Sequence, residues 1–184
     1  GAALVRRFAD GGYRVAMLAR DTDRLAAIEA EVPDAISAPC DVSDTSALEH
    51  AVRSVGMPEI VVHNAVGGAF GTFEQVEAST LQKNFDINTM ALFHLARLTA
   101  PAMVAAGKGA IIVTGNTSAQ RGRAAFAGFA PTKAAQRILA ESLARDLGPK
   151  GVHVAYLIID AAIDVPWQRK LQPDKPDDFF CSPQ

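Results

Sequence analysis

Lys133 sits in an alanine-rich, apolar helical pattern, where a charged side chain needs a partner if it is buried. It reads either as an ammonium held for a bound group or as a solvated surface lysine. Upstream, Thr114-Gly115-Asn116-Thr117-Ser118 ends an apolar strand pattern in hydroxyl and amide groups that could donate to a developing oxyanion. The same string also reads as an ordinary turn. Arg20 closes another apolar strand pattern and reads, by itself, as a surface arginine ahead of a helix cap at Asp21 or Thr22. His63 reads as a satisfied strand-end histidine. No other histidine lies at metal-ligand spacing, so no metal site is expected.

The elements that must position these groups alternate along the chain. Apolar runs over 14–19, 35–38, 59–63, 110–114 and 153–159 predict strands buried on both faces. Three- and four-residue apolar spacing predicts helices over 2–9, 22–32, 45–55, 80–106 and 125–147. That alternation predicts an α/β doubly wound parallel sheet in a single domain. Asp10-Gly11-Gly12, Gly107 and Gly148-Pro149 mark helix ends, Pro101 is expected to kink the long fourth helix, and Asp44 reads as a cap.

Composition narrows the function. The 184 residues are 49% hydrophobic with a net charge of −2, which fits a folded domain and gives no broad attraction to nucleic acid or membrane. A small molecule is the expected partner. Cys40 and Cys181 lie far apart without metal or disulfide spacing, pointing to a reducing, cytoplasmic setting. No segment reads as a membrane span or signal peptide.

Phe129-Ala130-Pro131-Thr132-Lys133 resembles the Tyr-x-x-x-Lys signature of the short-chain dehydrogenase/reductase family, with phenylalanine in place of tyrosine. The resemblance extends to about Trp167. It implies a Rossmann-like fold and a reaction in which the tyrosine exchanges a proton with substrate oxygen while nicotinamide exchanges a hydride with carbon. The lysine lowers the phenol's pKa and binds the nicotinamide ribose; beside Phe129 only the second role is left. Tyr13 and Tyr156, the only tyrosines, fall at or in predicted strands, far from this helix in sequence. Asn88, in Phe85-Asp86-Ile87-Asn88-Thr89, matches the asparagine that holds a water linked to the lysine from a distorted helical turn. Counting back from Phe129 to the family's serine, which polarises the substrate carbonyl, lands on Asn116; a small register shift would make it Thr117 or Ser118, and Ser118 ranks first.

By the same resemblance, Ala19-Arg20 looks like the NADP pattern, with NAD the less favoured cofactor. Asp41 and Val42 would form the adenine wall. His63-Asn64-Ala65-Val66-Gly67 is similar to the family's Asn-Asn-Ala-Gly motif, so Asn64 and Ala65 would close over the cofactor, with Val66 where glycine is expected. Gly1 reads like the last glycine of the phosphate-binding turn. The sheet is therefore expected to lack its first and last strands, in a fragment of a longer protein. Without the first strand, its two neighbours would expose edges. The segment Ile159-Asp160-Ala161-Ala162-Ile163-Asp164 replaces the family's Pro-Gly turn. Residues 1–167 form the dinucleotide-binding domain, and 168–184 a polar, proline-rich tail that begins the substrate lid. The implied function is an NADP-dependent oxidoreductase acting on a small carbonyl, alcohol or enone through an incomplete catalytic set. The alternative is a nucleotide-binding but catalytically silent sensor or subunit. Pairing of the fourth and fifth helices implies a homo-oligomer.

Overall fold

The computed structural model describes residues 1–183. Its main elements are α1 (Ala2–Asp10), β1 (Ala16–Ala19), α2 (Thr22–Glu31), β2 (Ile36–Pro39), α3 (Thr45–Val55), β3 (Ile60–His63), α4 (Ala78–Phe85), α5 (Ala91–Ala106), β4 (Gly109–Asn116), α6 (Ala130–Leu147) and β5 (Val152–Ile159). All five predicted strands are present and every pairing is parallel. The hydrogen bonding divides into a β1–β2 ladder and a β3–β4–β5 ladder. Among the described residues, neither β1 nor β3 has a strand partner on its second edge. Both line a cavity of about 1020 Å³.

Packing follows from the alternation. Ile111 and Val113 on β4 are fully buried, and they join Leu48 of α3, Leu92 of α5 and Ala140 of α6 in one core. A smaller core of Val5, Met17, Leu25, Val32 and Ala35 sits among α1, α2 and β1. Helix starts are fixed by carboxylates. Asp21 accepts from the Arg24 N–H, and Asp44 accepts from the Ser46 and Ala47 N–H groups. Such caps each contribute about 1 kcal/mol.

Several expectations change. The long fourth helix is interrupted not at Pro101, which lies within α5, but by a π-helical turn over Asp86–Met90. The 29-residue run Ala78–Ala106 is long and apolar enough by composition to cross a bilayer, against the expectation that no segment is. Its buried Asn84, Asn88 and Thr99 are hydrogen-bonded within the protein, as befits a core helix. The fifth predicted helix begins at Ala130 rather than residue 125, because Gly71 bonds to the backbone of Ala125 and Ala127 and pins Phe126 in a single bridge between turns. It ends in a 3-10 turn over Gly148–Lys150, with Gly151 rather than Gly148 in the left-handed region. Tyr13 is not in a strand; its ring packs edge-on against Phe8.

The last segment folds back on itself. β6 (Ala162–Ile163) pairs with β7 (Phe180–Cys181), with α7 (Pro166–Leu171) between them. Arg169 donates twice to the Asp164 carboxylate at 2.6 and 2.8 Å and once to Asp177, and its guanidinium lies 4.5 Å from the Phe180 ring centroid.

Candidate functional site

The first turn of α6 is the centre of the site. Lys133 is only 2% exposed. Its ammonium donates to the Thr114 carbonyl at 3.0 Å and to Gln136 Oε1 at 2.5 Å. Burial pushes its pKa down to about 8. Phe129 stands at the N-cap position without a side-chain cap bond and is 6% exposed, its ring 5.5 Å from that of Phe70 and 6.5 Å from that of Phe126. An apolar aromatic wall therefore stands where α6 begins.

Asn88 anchors this turn to the long helix. It lies in the π turn, where an extra residue per turn breaks the normal ladder. Its side-chain oxygen accepts from the Gly67 N–H at 2.9 Å, and its amide donates to the Gly67 carbonyl and the Thr132 hydroxyl, each at 2.8 Å. Its backbone carbonyl accepts from Gln136 Nε2 at 2.6 Å. Asn88 thus connects to Lys133 through the Gln136 side chain. Two further bonds run alongside, from Asn84 to the Gly128 carbonyl and from Thr89 to the Thr132 carbonyl.

The loop after β3 approaches the long helix at Gly67, one residue later than the motif suggested. A Cβ there would stand 2.8 Å from Asn84 Oδ1 and 3.2 Å from the Asn84 Cα, so only glycine fits. Val66 is instead exposed. Asn64 Oδ1 accepts from the Thr114 hydroxyl at 3.0 Å, bracing β3 against β4.

Among the three hydroxyl or amide candidates, the structure separates the roles. Asn116 Oδ1 accepts from the Ser118 N–H, and the Thr117 hydroxyl donates to Asp160. The half-buried Ser118 makes no side-chain hydrogen bond among the described residues. Its turn packs against α6. Tyr156 also reaches this helix, its hydroxyl donating to the Lys133 carbonyl oxygen at 3.5 Å. Burial holds that phenol above its ordinary pKa.

Gly1, Arg20, Asp41, Val42, Asn64 and Ala65 all line the large cavity, whereas Lys133, Ser118 and Phe129 do not. Asp41 folds its Oδ1 onto the Ser43 N–H and hydroxyl, and those bonds hold its pKa down, helped by Arg20. Arg20 comes only to 3.9 Å from Asp41 and is largely exposed. His63 lines the same cavity and is 2% exposed. Its Nε2 lacks a hydrogen-bond partner among the described residues, contrary to the expected satisfied histidine. Burial, then the Lys133 charge, lower its pKa to about 4, so the ring is neutral.

Sequence reasoning missed Gln136 and Thr132. Gln136 carried a usable signal: a polar residue three positions after Lys133 on an alanine-rich helix shares its face.

The family model described as short chain dehydrogenase matches residues 1–176. D-erythrulose reductase of Gallus gallus is 31% identical over 155 residues, covering 84% of this chain and 63% of that protein. The chain thus spans less than two thirds of that relative's length. A short-chain dehydrogenase from Sphingobium yanoikuyae in complex with NADPH superposes with a TM-score of 0.81 at 29% identity, over 88% of this chain and 66% of that one. A metagenomic short-chain oxidoreductase in complex with NADP gives a TM-score of 0.83 at 28% identity, over 99% of this chain and 88% of that one. Parallel ladders, a π-turn asparagine and a buried lysine in this order, with a family match along nearly the whole chain, make it a member of the short chain dehydrogenase family.

Proposed function

We propose that this chain is the nucleotide-binding part of an NADP-dependent oxidoreductase that acts on a small carbonyl, alcohol or enone through an atypical site. The observation that carries the reading is Lys133, an ammonium buried in the first turn of α6 at the cost of desolvation and lodged against the Asn88 turn. Two of its three N–H donors are used within the protein, which leaves one for a ribose hydroxyl.

The residues present fit the nucleotide. The Arg20 guanidinium is exposed beside the cavity and only loosely paired with Asp41, so it is available to a 2′-phosphate. Asp41, Val42, Asn64 and Ala65 line the same space for the adenosine half, and Gly1 for the phosphates. NADPH, when bound, supplies the hydride. The Ser118 hydroxyl, which makes no side-chain hydrogen bond among the described residues, would donate to a substrate oxygen, and the Phe70, Phe126 and Phe129 rings would offer an apolar substrate an aromatic wall.

Phe129 favours a second reading, a nucleotide-binding but catalytically silent sensor or subunit, because the residue has no proton to exchange. In either reading the groove between α5 and α6, lined by Phe93, Ala100, Val104 and Leu143, is the face that would join a second copy. Two free cysteines, Cys40 and Cys181, suit a cytoplasmic setting.

Calorimetric titration with NADPH and NADH tests the assignment. NADPH binding that weakens at least tenfold in Arg20→Ala, with NADH affinity unchanged, supports it; no binding of either nucleotide removes both readings.

A further inference from the structure

Gln136 is fully buried on α6, and both ends of its amide are committed. Nε2 donates to the Asn88 carbonyl at 2.6 Å and Oε1 accepts from the Lys133 ammonium. That carbonyl belongs to the π turn, where the ordinary helical ladder is interrupted. We infer that Gln136 is the positioning residue for Lys133: its amide ties the ammonium to the carbonyl at Asn88 and so sets both the place and the charge of the lysine. The inference rests on the proposed role of Lys133 in binding nucleotide.

The chemistry of an amide gives the bridge a direction. Its oxygen only accepts and its nitrogen only donates, so it favours the protonated lysine and offers that proton no path toward Asn88. Other charges near Lys133 do not take over this role. His63, facing it from β3, is neutral above about 4. Arg137 and Glu141 on α6 pair with each other. Asn64 and Thr114 are bonded together. The Tyr156 hydroxyl meets the Lys133 backbone, not its ammonium. Burial already lowers the lysine to about 8, so a lost acceptor acts on a group that titrates within reach of experiment.

The test is an NMR titration of Lys133 in protein carrying ¹³C-labelled lysine, without nucleotide, with Lys133→Arg identifying the resonance. Removing the acceptor in Gln136→Met lowers the midpoint by about one pH unit or more, and Gln136→Glu, which places a carboxylate there, raises it above wild type. Opposite shifts from two substitutions at one buried site are not what a general packing defect produces. NADPH affinity near neutral pH falls about tenfold in Gln136→Met and recovers in Gln136→Glu. An unmoved midpoint in a folded Gln136→Met overturns the inference; should that variant not fold, an unmoved midpoint in Gln136→Glu does so. Split midpoints in a protein that binds no NADPH would leave Gln136 its role and remove the nucleotide reading instead.

Discussion

The Lys133 backbone N–H donates to the Phe129 carbonyl at 3.2 Å, so the two residues stand one helical turn apart on the same side of α6. A ring at position 129 projects into the aromatic cluster, with Lys133 and its charge one turn away. Phe129→Tyr therefore places a phenol beside a cation that lowers its pKa. General acid help of this kind is worth ~10²- to 10⁴-fold, and NADPH-dependent reduction of a ketone or enone panel is expected to rise within that range. Steady-state NADPH oxidation measures it. A variant that binds NADPH as wild type does and gains nothing shows that position 129 does not face the substrate.

His63 gives the protein an acid limit. Its pKa falls from 6.5 in the free residue to about 4 in the fold, because burial and the Lys133 charge oppose its protonation. The unfolded chain therefore takes up the proton first. Stability from this group is complete above 6.5 and is lost as the pH falls through about 4. The loss amounts to ~3 kcal/mol. Urea unfolding at pH 7.5 and pH 4 should show that drop in wild type and a much smaller one in His63→Leu. Equal drops in both would assign the acid sensitivity to other groups.

The sequence made the order of elements legible because the strands are nearly pure apolar runs and the caps are carboxylates at the right places. Asp44 caps as read, Asp21 is the cap of the two candidates Asp21 and Thr22, and Lys133 and Asn88 are buried together at one site. What local pattern could not carry was set by tertiary contact. Residues 125–129 look helical, yet Gly71 bonds on either side of Phe126 and holds the stretch in turns. The glycine required by the motif lies at Gly67 because Asn84 and Asn88 press on that position. The π turn has no composition of its own. It is fixed by the partners of Asn88, which are distant in sequence, and for the same reason Gln136 passed as an ordinary helical glutamine.

Asn88 joins three parts of the site, so Asn88→Ala should loosen all of them. It leaves the Gly67 N–H and carbonyl without their partners, and the Thr132 hydroxyl without its donor. Stranded buried polar groups cost ~1–3 kcal/mol each, and partial relaxation of the exposed-side loop brings the expected loss to ~3 kcal/mol. Hydrogen exchange gives a local reading that global stability does not: the Gly67 amide should lose protection in excess of the amides of β4. Retained protection at Gly67 would show that the loop is held by other contacts.

Gly115 and Tyr156 form the tightest cross-strand fit near the site. A Cβ at Gly115 would stand 2.0 Å from Tyr156 Cζ and 2.3 Å from its hydroxyl oxygen, so the ring occupies the space a side chain would need. The Gly115 side of β4 is where Thr114 supplies its carbonyl to Lys133, and a displaced ring would press on α6 through the Lys133 backbone. Gly115→Ala is expected to cost at least the ~1–3 kcal/mol typical of an overpacked core. The cost should largely vanish in a Tyr156→Ala background, where the intruding ring is gone. A double-mutant cycle by urea unfolding measures the coupling. Additive effects would mean that the strand yields elsewhere and that the glycine is not there to seat the tyrosine.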